Sequence, residues 1–257
     1  MSAVNGVREV AAAELATASD LPFVRHQLDP DATLRAWVRG RAAAVESSRV
    51  RPGQGGGVPV LTCLGPPADL VPLMTALADA GERPARLTVE DPSYDAVPAA
   101  WSYARHGHWH WMLTSSPCEA ATVPVEEVAD LAEVDAVLDA ANPGSFARPG
   151  SPGVECWLGI RQEGRLVATG ALTREHDGTG HLRGVSVLPS HSGRGLGRAL
   201  SAALTRRAQA GASGVATLGV YVDNAPALAI YDRLGYAVVH TFSSGPVNSV
   251  SRVTRGA

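Results

Sequence analysis

The chain has 257 residues, 45% hydrophobic and 18% charged, a length suited to two domains and a composition suited to packed cores. Its formal net charge of −3, with arginines spread along the chain, excludes a basic face for nucleic acid or an anionic membrane. All 22 basic residues are arginine, and the missing lysine excludes a Schiff-base enzyme, a pyridoxal phosphate enzyme and a lysine-bearing phosphate loop.

In chain order, helical spacing is predicted over Val7–Ala18 and Asp31–Glu46. The Gly-rich run 51–58 reads as a loop. A β-α-β-α-β series follows: strand Val58–Cys63, helix Leu70–Ala80, strand Ala85–Val89, helix Tyr94–Tyr103 and strand His108–Leu113. Ser115-Ser116-Pro117 breaks the pattern and sets the expected boundary between residues 1–116 and 117–257. Beyond it come an amphipathic helix over Val125–Ala141 and an irregular segment, Asn142–Gly153. Apolar runs Val154–Ile160 and Leu166–Leu172 flank Gln162-Glu163-Gly164 and read as a hairpin. Then follow strand Leu182–Leu188, helix Gly195–Gln209, strand Val215–Val222, helix Ala225–Leu234 and strand Tyr236–Phe242. The order α-β-β-β-α-β-α-β defines an α/β domain with antiparallel strands first and crossovers later.

The chemistry gathers in Gly184–Leu200, GVSVLPSHSGRGLGRAL. A strand stops at Pro189, and Gly193, Gly195 and Gly197 alternate into a helix start. Small residues let several backbone N–H groups converge, and the unpaired first-turn amides and positive helix end add to them. The result is an anion site suited to a diphosphate. The dinucleotide fingerprint G-x-G-x-x-G does not fit, because the third glycine comes one residue early.

Val187-Leu188-Pro189 followed by Gly193-Arg194-Gly195-Leu196-Gly197 resembles the GNAT superfamily of acetyltransferases, with Ser192 where the family usually has arginine or glutamine. A second motif, N-x-x-A-x-x-x-Y-x-x-L-G-Y, is carried by Asn224, Ala227, Tyr231, Leu234, Gly235 and Tyr236. Asn224 suits a helix N-cap and Gly235 a left-handed helix end. The resemblance covers about Val123–Phe242. It implies a mixed sheet with splayed central strands flanked by helices, and acetyl-coenzyme A as cosubstrate without a metal. It also implies a coenzyme site at Val185, Ser186, Val187, Ser192, Gly193, Arg194, Gly195, Leu196, Gly197, Arg198, Asn224, Ala227 and Tyr231. By the same resemblance the amide of Val185 or Val187 polarises the thioester carbonyl, and Tyr231 is the general acid. The family's glutamate base is replaced here by His181 and Arg183, leaving Glu175, His176 and His181 as candidates by location.

The implied activity is N-acetylation of a primary amine on a small molecule. Asn142–Pro152, with Phe146 and Arg148, is expected to border the acceptor. Alternatives are a coenzyme A-binding regulator without turnover and an acyltransferase resembling mycothiol synthase. The first half echoes the second, since Leu61-Thr62-Cys63-Leu64-Gly65-Pro66 resembles Val185–Pro189. It reads as a smaller, degenerate unit of the same topology. Pro66-Pro67-Ala68-Asp69 replaces the glycine turn and removes N–H donors, so this half is expected not to bind coenzyme A. Its expected role is to complete the sheet, shape the acceptor pocket or form an interface, a homodimer included. His106, His108 and His110 alternate on one strand face, but a polar cross-strand face is favoured over a metal. Three scattered cysteines, with no leader pattern and no apolar run of about 18 residues, point to a cytoplasmic protein.

Overall fold

A computed structural model describes residues 6–49 and 58–247; the Gly-rich run 51–57 lies outside the described residues. The elements in order are β1 (Arg8–Val10), α1 (Ala12–Ala18), α2 (Pro22–Gln27), β2 (Thr33–Arg39), β3 (Ala42–Arg49), β4 (Val58–Leu64), α3 (Pro67–Asp79), β5 (Arg86–Glu90) and β6 (Gly107–Thr114). They continue as β7 (Glu126–Glu127), α4 (Leu131–Ala141), β8 (Val154–Gln162), β9 (Arg165–Arg174), β10 (Gly180–Val187), α5 (Leu196–Gln209), β11 (Ala216–Tyr221), α6 (Ala225–Arg233) and β12 (Ala237–Pro246). Contacts divide the described residues into a first unit, 6–49, 58–109 and 240–247, and a second, His110–Val239. The division falls inside β6 and β12, so the first unit is closed by residues 240–247. Both units are mixed α/β.

In the first unit the strand order is β1-β2-β3-β4-β5-β12. β4 and β5 are parallel, with α3 connecting them, and β12 closes on β5 antiparallel through Phe242↔Glu90 to Pro246↔Arg86. Leu70, Leu73, Met74 and Leu77 of α3 pack with Leu61, Cys63, Leu87, Val89 and Trp101. The expected helix over 31–46 is instead the β2–β3 hairpin, which turns at Gly40. Its run of alanines suits a helix in isolation, but burial between β1 and β4 overrides that propensity. The expected helix over 94–103 is reduced to two short 3-10 turns, Ser93–Ala96 and Ala99–Trp101, with Pro98 capping the second.

The second unit orders its strands β11-β10-β9-β8-β7. β8, β9 and β10 are antiparallel neighbours, and β10 meets β11 in parallel across α5. α4 begins later than the apolar spacing suggests. Asp130 caps it by accepting from Ala132 N at 2.9 Å. Val128 N donates to Trp157 O at 2.8 Å, while β7 pairs with β8. An apolar core joins Val134, Val137 and Leu138 of α4, Leu158 and Ile160 of β8, Leu172 of β9 and Leu200 and Leu204 of α5. Among the described residues no helix is long and apolar enough to cross a membrane.

Candidate active site

Two strands that should pair along their length part early. β10 and β11 are in register only at Gly180↔Ala216, His181↔Thr217 and Leu182↔Leu218. Beyond Leu182 they run on to Val187 and Tyr221 without further pairing to each other. On its other edge β10 stays with β9 but shifts register between Arg183↔Ala171 and Ser186↔Thr169, so Gly184 and Val185 together oppose Gly170. That is a β-bulge, a device that bends a strand and re-aims its backbone groups. Gly184 sits in it at φ 59°, and a Cβ there would come within 2.9 Å of Ser145 Oγ. The bulge therefore needs glycine both for its dihedral and for the close approach of the loop after α4. Val185 and Val187 are half-buried, and Ser186 is buried with its hydroxyl donating to Gly184 O at 3.0 Å.

After β10 the chain turns through Pro189–His191 and reaches Gly195, a helix N-cap in the left-handed conformation at φ 77°. Gly193 is also left-handed at φ 75°, and a Cβ on either glycine would meet open space. Ser192, Gly193, Arg194, Gly195 and Arg198 are exposed, Gly197 is half-buried, and Leu196 anchors the turn in the core. The first intrahelical bond at this end is Ala199 N to Gly195 O, 3.1 Å, so the amides of Leu196, Gly197 and Arg198 have no acceptor within the helix. Arg194 donates to Ser190 O at 3.1 Å and steadies the loop. An exposed, cation-rich helix start with outward amides is suited to a diphosphate.

α6 supplies the second expected cluster. Asn224 Oδ1 accepts from Ala227 N at 3.2 Å and caps the helix, and Gly235 ends it at φ 80°. Tyr231 is buried, its ring 5.7 Å from that of Tyr236, and its hydroxyl lies near enough to the Ser201 side chain of α5 to feel it. Burial pushes the Tyr231 hydroxyl up to about 12, with Ser201 pulling weakly the other way. Tyr236 follows the end of α6, its hydroxyl 2.9 Å from Thr205 Oγ1, and burial raises it as well. The Ser201 and Thr205 partners are invisible to motif reading, although their four-residue spacing places them on one face of α5.

The candidate bases separate in space. His176 is exposed on a turn. His181 is buried, not a solvated loop residue, with Nδ1 2.9 Å from Thr217 Oγ1. Glu175 lies within 3.4 Å of Thr173 Oγ1 and 3.8 Å of Arg183. In the segment after α4, Phe146 is exposed, whereas Arg148 is tied back to Asp139 at 2.6 Å and to Pro143 O at 2.8 Å.

The first unit treats the corresponding place differently. β4 and β5 pair through Val60↔Arg86 to Cys63↔Val89, and Gly65 N then donates to Glu90 Oε2 at 2.7 Å. Glu90 Oε1 meets His240 Nδ1 at 2.6 Å, and Asp69 Oδ2 accepts from Arg41 N at 3.0 Å in the first turn of α3. The junction is filled by the chain's own carboxylates. His108, one of the alternating histidines, bonds to Asp91 Oδ2 at 2.7 Å, a partner from the end of β5 that local sequence does not reveal. Among the described residues no group of three or more His, Cys, Asp or Glu side chains is placed to hold a metal.

A bulged strand diverging from its parallel neighbour, with a glycine-rich turn leading into a helix, is the architecture of an acyltransferase fold of the GNAT type. The family model of the Acetyltransferase (GNAT) family matches residues 124–236, and this segment is a GNAT acetyltransferase domain. No curated protein matches the chain in sequence. Among solved structures it is similar to a GCN5-related N-acetyltransferase from Kribbella flavida, at 21% identity and TM-score 0.56, covering 93% of this chain and 95% of that one. It is also similar to a GCN5-related N-acetyltransferase from Sphaerobacter thermophilus, at 18% identity and TM-score 0.56, covering 97% of this chain and 100% of that one. A GNAT-family acetyltransferase from Colwellia psychrerythraea aligns at 13% identity and TM-score 0.54, covering 94% and 99%. These likenesses extend the shared fold across both units.

Proposed function

We propose that the protein transfers an acetyl group from acetyl-coenzyme A to a primary amine of a small molecule by direct attack. The observation that carries this reading is the early parting of β10 and β11 beside the bare start of α5. Residues 192–198 would hold the diphosphate through main-chain amides, while Val185, Ser186 and Val187 offer strand-edge groups to the pantetheine arm. Within this reading Asn224 and Ala227 keep the start of α6 in place, and the bulge aims an amide of Val185 or Val187 at the thioester oxygen. Preorganised donors of this kind stabilise the developing oxyanion without reorganising during reaction.

Tyr231 is the proposed general acid. Its buried hydroxyl stays protonated throughout the neutral range and can donate to the departing thiolate. Because an ordinary thiol titrates near ~8.5, below the Tyr231 hydroxyl, full proton transfer is uphill in isolation, and Tyr231 stabilises the departing thiolate first through its hydrogen bond. Glu175 and His181 remain the groups proposed to take the proton from the amine. A non-catalytic coenzyme sensor could use the same parted strands for the pantetheine arm but would need no general acid such as Tyr231. The first test is a panel of small amines with acetyl-coenzyme A, read as release of free coenzyme A. Calorimetry with coenzyme A alone runs beside it. Absence of coenzyme binding would sink the proposal.

A further inference from the structure

The register of the second unit sorts its polar residues by face. Gly170 and Gly180 lie on the side that receives Leu204 and Ala208 of α5. Pairing places Thr173 opposite His181 and His181 opposite Thr217, with Arg183 two residues further along β10. Thr173, His181, Arg183 and Thr217 therefore share the face away from α5. Arg183 is the first residue beyond the last β10–β11 pair and the last before the bulge. It stands where the strands part.

Its partners are looser than those of three other arginines of the unit, and Arg207, whose contacts to Glu155 and Glu127 are as loose at 3.4 and 3.6 Å, is half exposed. Arg148, Arg161 and Arg174 each donate to a carboxylate at short range: 2.6 Å to Asp139, 2.6 Å to Glu126 and 2.7 Å to Glu155. Arg183 has one long hydrogen bond, 3.4 Å to Thr173 Oγ1, and one loose ion pair, 3.8 Å to Glu175 Oε1. Its side chain keeps 30% of its exposure and that of Glu175 keeps 14%, so the pair reaches solvent from a largely buried position. A guanidinium held away from water recovers little of its lost hydration from one distant oxygen. Burial pulls Arg183 down from its usual range despite Glu175, the sign of a cation short of compensation. A bidentate carboxylate would supply what is missing, in the planar geometry that arginine recognises best.

Resting on the acetyl-transfer reading above, we infer that Arg183 anchors a carboxylate on the acceptor, which makes the acceptor an amino acid or a related aminocarboxylate. Glu175 beside it presents the opposite charge, so the two residues match an incoming zwitterion, with the ammonium drawn to Glu175 before it loses its proton. Arg148, the other arginine of the expected acceptor region, is already committed to α4 and its loop.

The test uses matched acceptors: amino acids, their amides and the corresponding decarboxylated amines. Free coenzyme A release gives kcat and KM, and calorimetry gives coenzyme A affinity separately. The wild-type enzyme should favour the carboxylate member at least tenfold in kcat/KM. Arg183→Gln should raise KM for that member by ~10- to 100-fold, as loss of a charge-assisted fork does, and bring the three acceptors within about threefold of one another. Coenzyme A affinity should not move. Equal use of amides and decarboxylated amines by the wild type would overturn the inference, as would a KM increase shared by all three acceptors in Arg183→Gln. If that variant does not fold, discrimination by the wild type decides alone. Failure to bind coenzyme A would instead overturn the acetyl-transfer reading, and this inference with it.

Discussion

The two units carry the same strand–helix–strand crossover, β4–α3–β5 in one and β10–α5–β11 in the other, and treat its mouth in opposite ways. In the second unit the strands pair three times and part, glycines replace side chains, and helix amides face outward. In the first the strands stay paired to Cys63↔Val89, prolines remove N–H groups, and Glu90 takes the Gly65 amide. On the proposed reading one topology can offer an anion site or close it, and a handful of residues at the strand ends decides which.

The largest expected effect comes from closing the open mouth. Gly195→Val forces a β-branched residue into φ 77° and covers the helix start, costing ~1–3 kcal/mol in backbone strain. Coenzyme A affinity measured by calorimetry should fall by ~100-fold or more, beyond what strain alone explains. The wild type should titrate with one coenzyme A per chain, and two would break the contrast between the units. Next comes Tyr231→Phe, which should lower kcat by ~100-fold with coenzyme affinity retained. Ser201→Ala, which removes the polar side chain acting on that hydroxyl's titration, should cost a smaller share of kcat, about three- to tenfold.

In the first unit the same kind of substitution should read out in stability, not binding. Glu90→Ala strips the acceptor from Gly65 N and the partner from His240, and should lower unfolding free energy by about 2 kcal/mol. Coenzyme affinity should be unmoved by it; a gain of a second binding event would show that the carboxylate alone blocks a site. The smallest effect concerns pH. Tyr231 binds its proton more tightly folded than unfolded, where the phenol titrates near ~10, so its contribution to stability is intact below that pH. The contribution is lost as pH rises toward about 12. Phenolate absorbance should therefore rise for Tyr103, Tyr231 and Tyr236 only together with unfolding, since burial raises all three.

Much of the second unit was legible because its signals are local. Gly193, Gly195 and Asn224 are needed by a turn or a cap a few residues long, and their dihedrals and bonds match that reading. The boundaries of β8, β9, β10, α5, β11 and α6 fall within three residues of those read from periodicity. What escaped depends on distance in the chain. The β2–β3 hairpin looked helical because alanine reports propensity, not its neighbours. Glu90 reaches Gly65 from 25 residues away, and the Arg183–Glu175 pair acquires meaning only once register places it beside the parting of β10 and β11. No pattern within one segment encodes such meetings.

The last strand carries one more consequence. β5 has β4 on one side and residues Phe242–Pro246 on the other, so an early-made sheet waits for residues that lie far later in the chain. During translation the second unit, contiguous over His110–Val239, can be finished while β5 still presents a bare edge. A chain truncated shortly before His240 would thus carry the second unit complete and an aggregation-prone strand edge exposed.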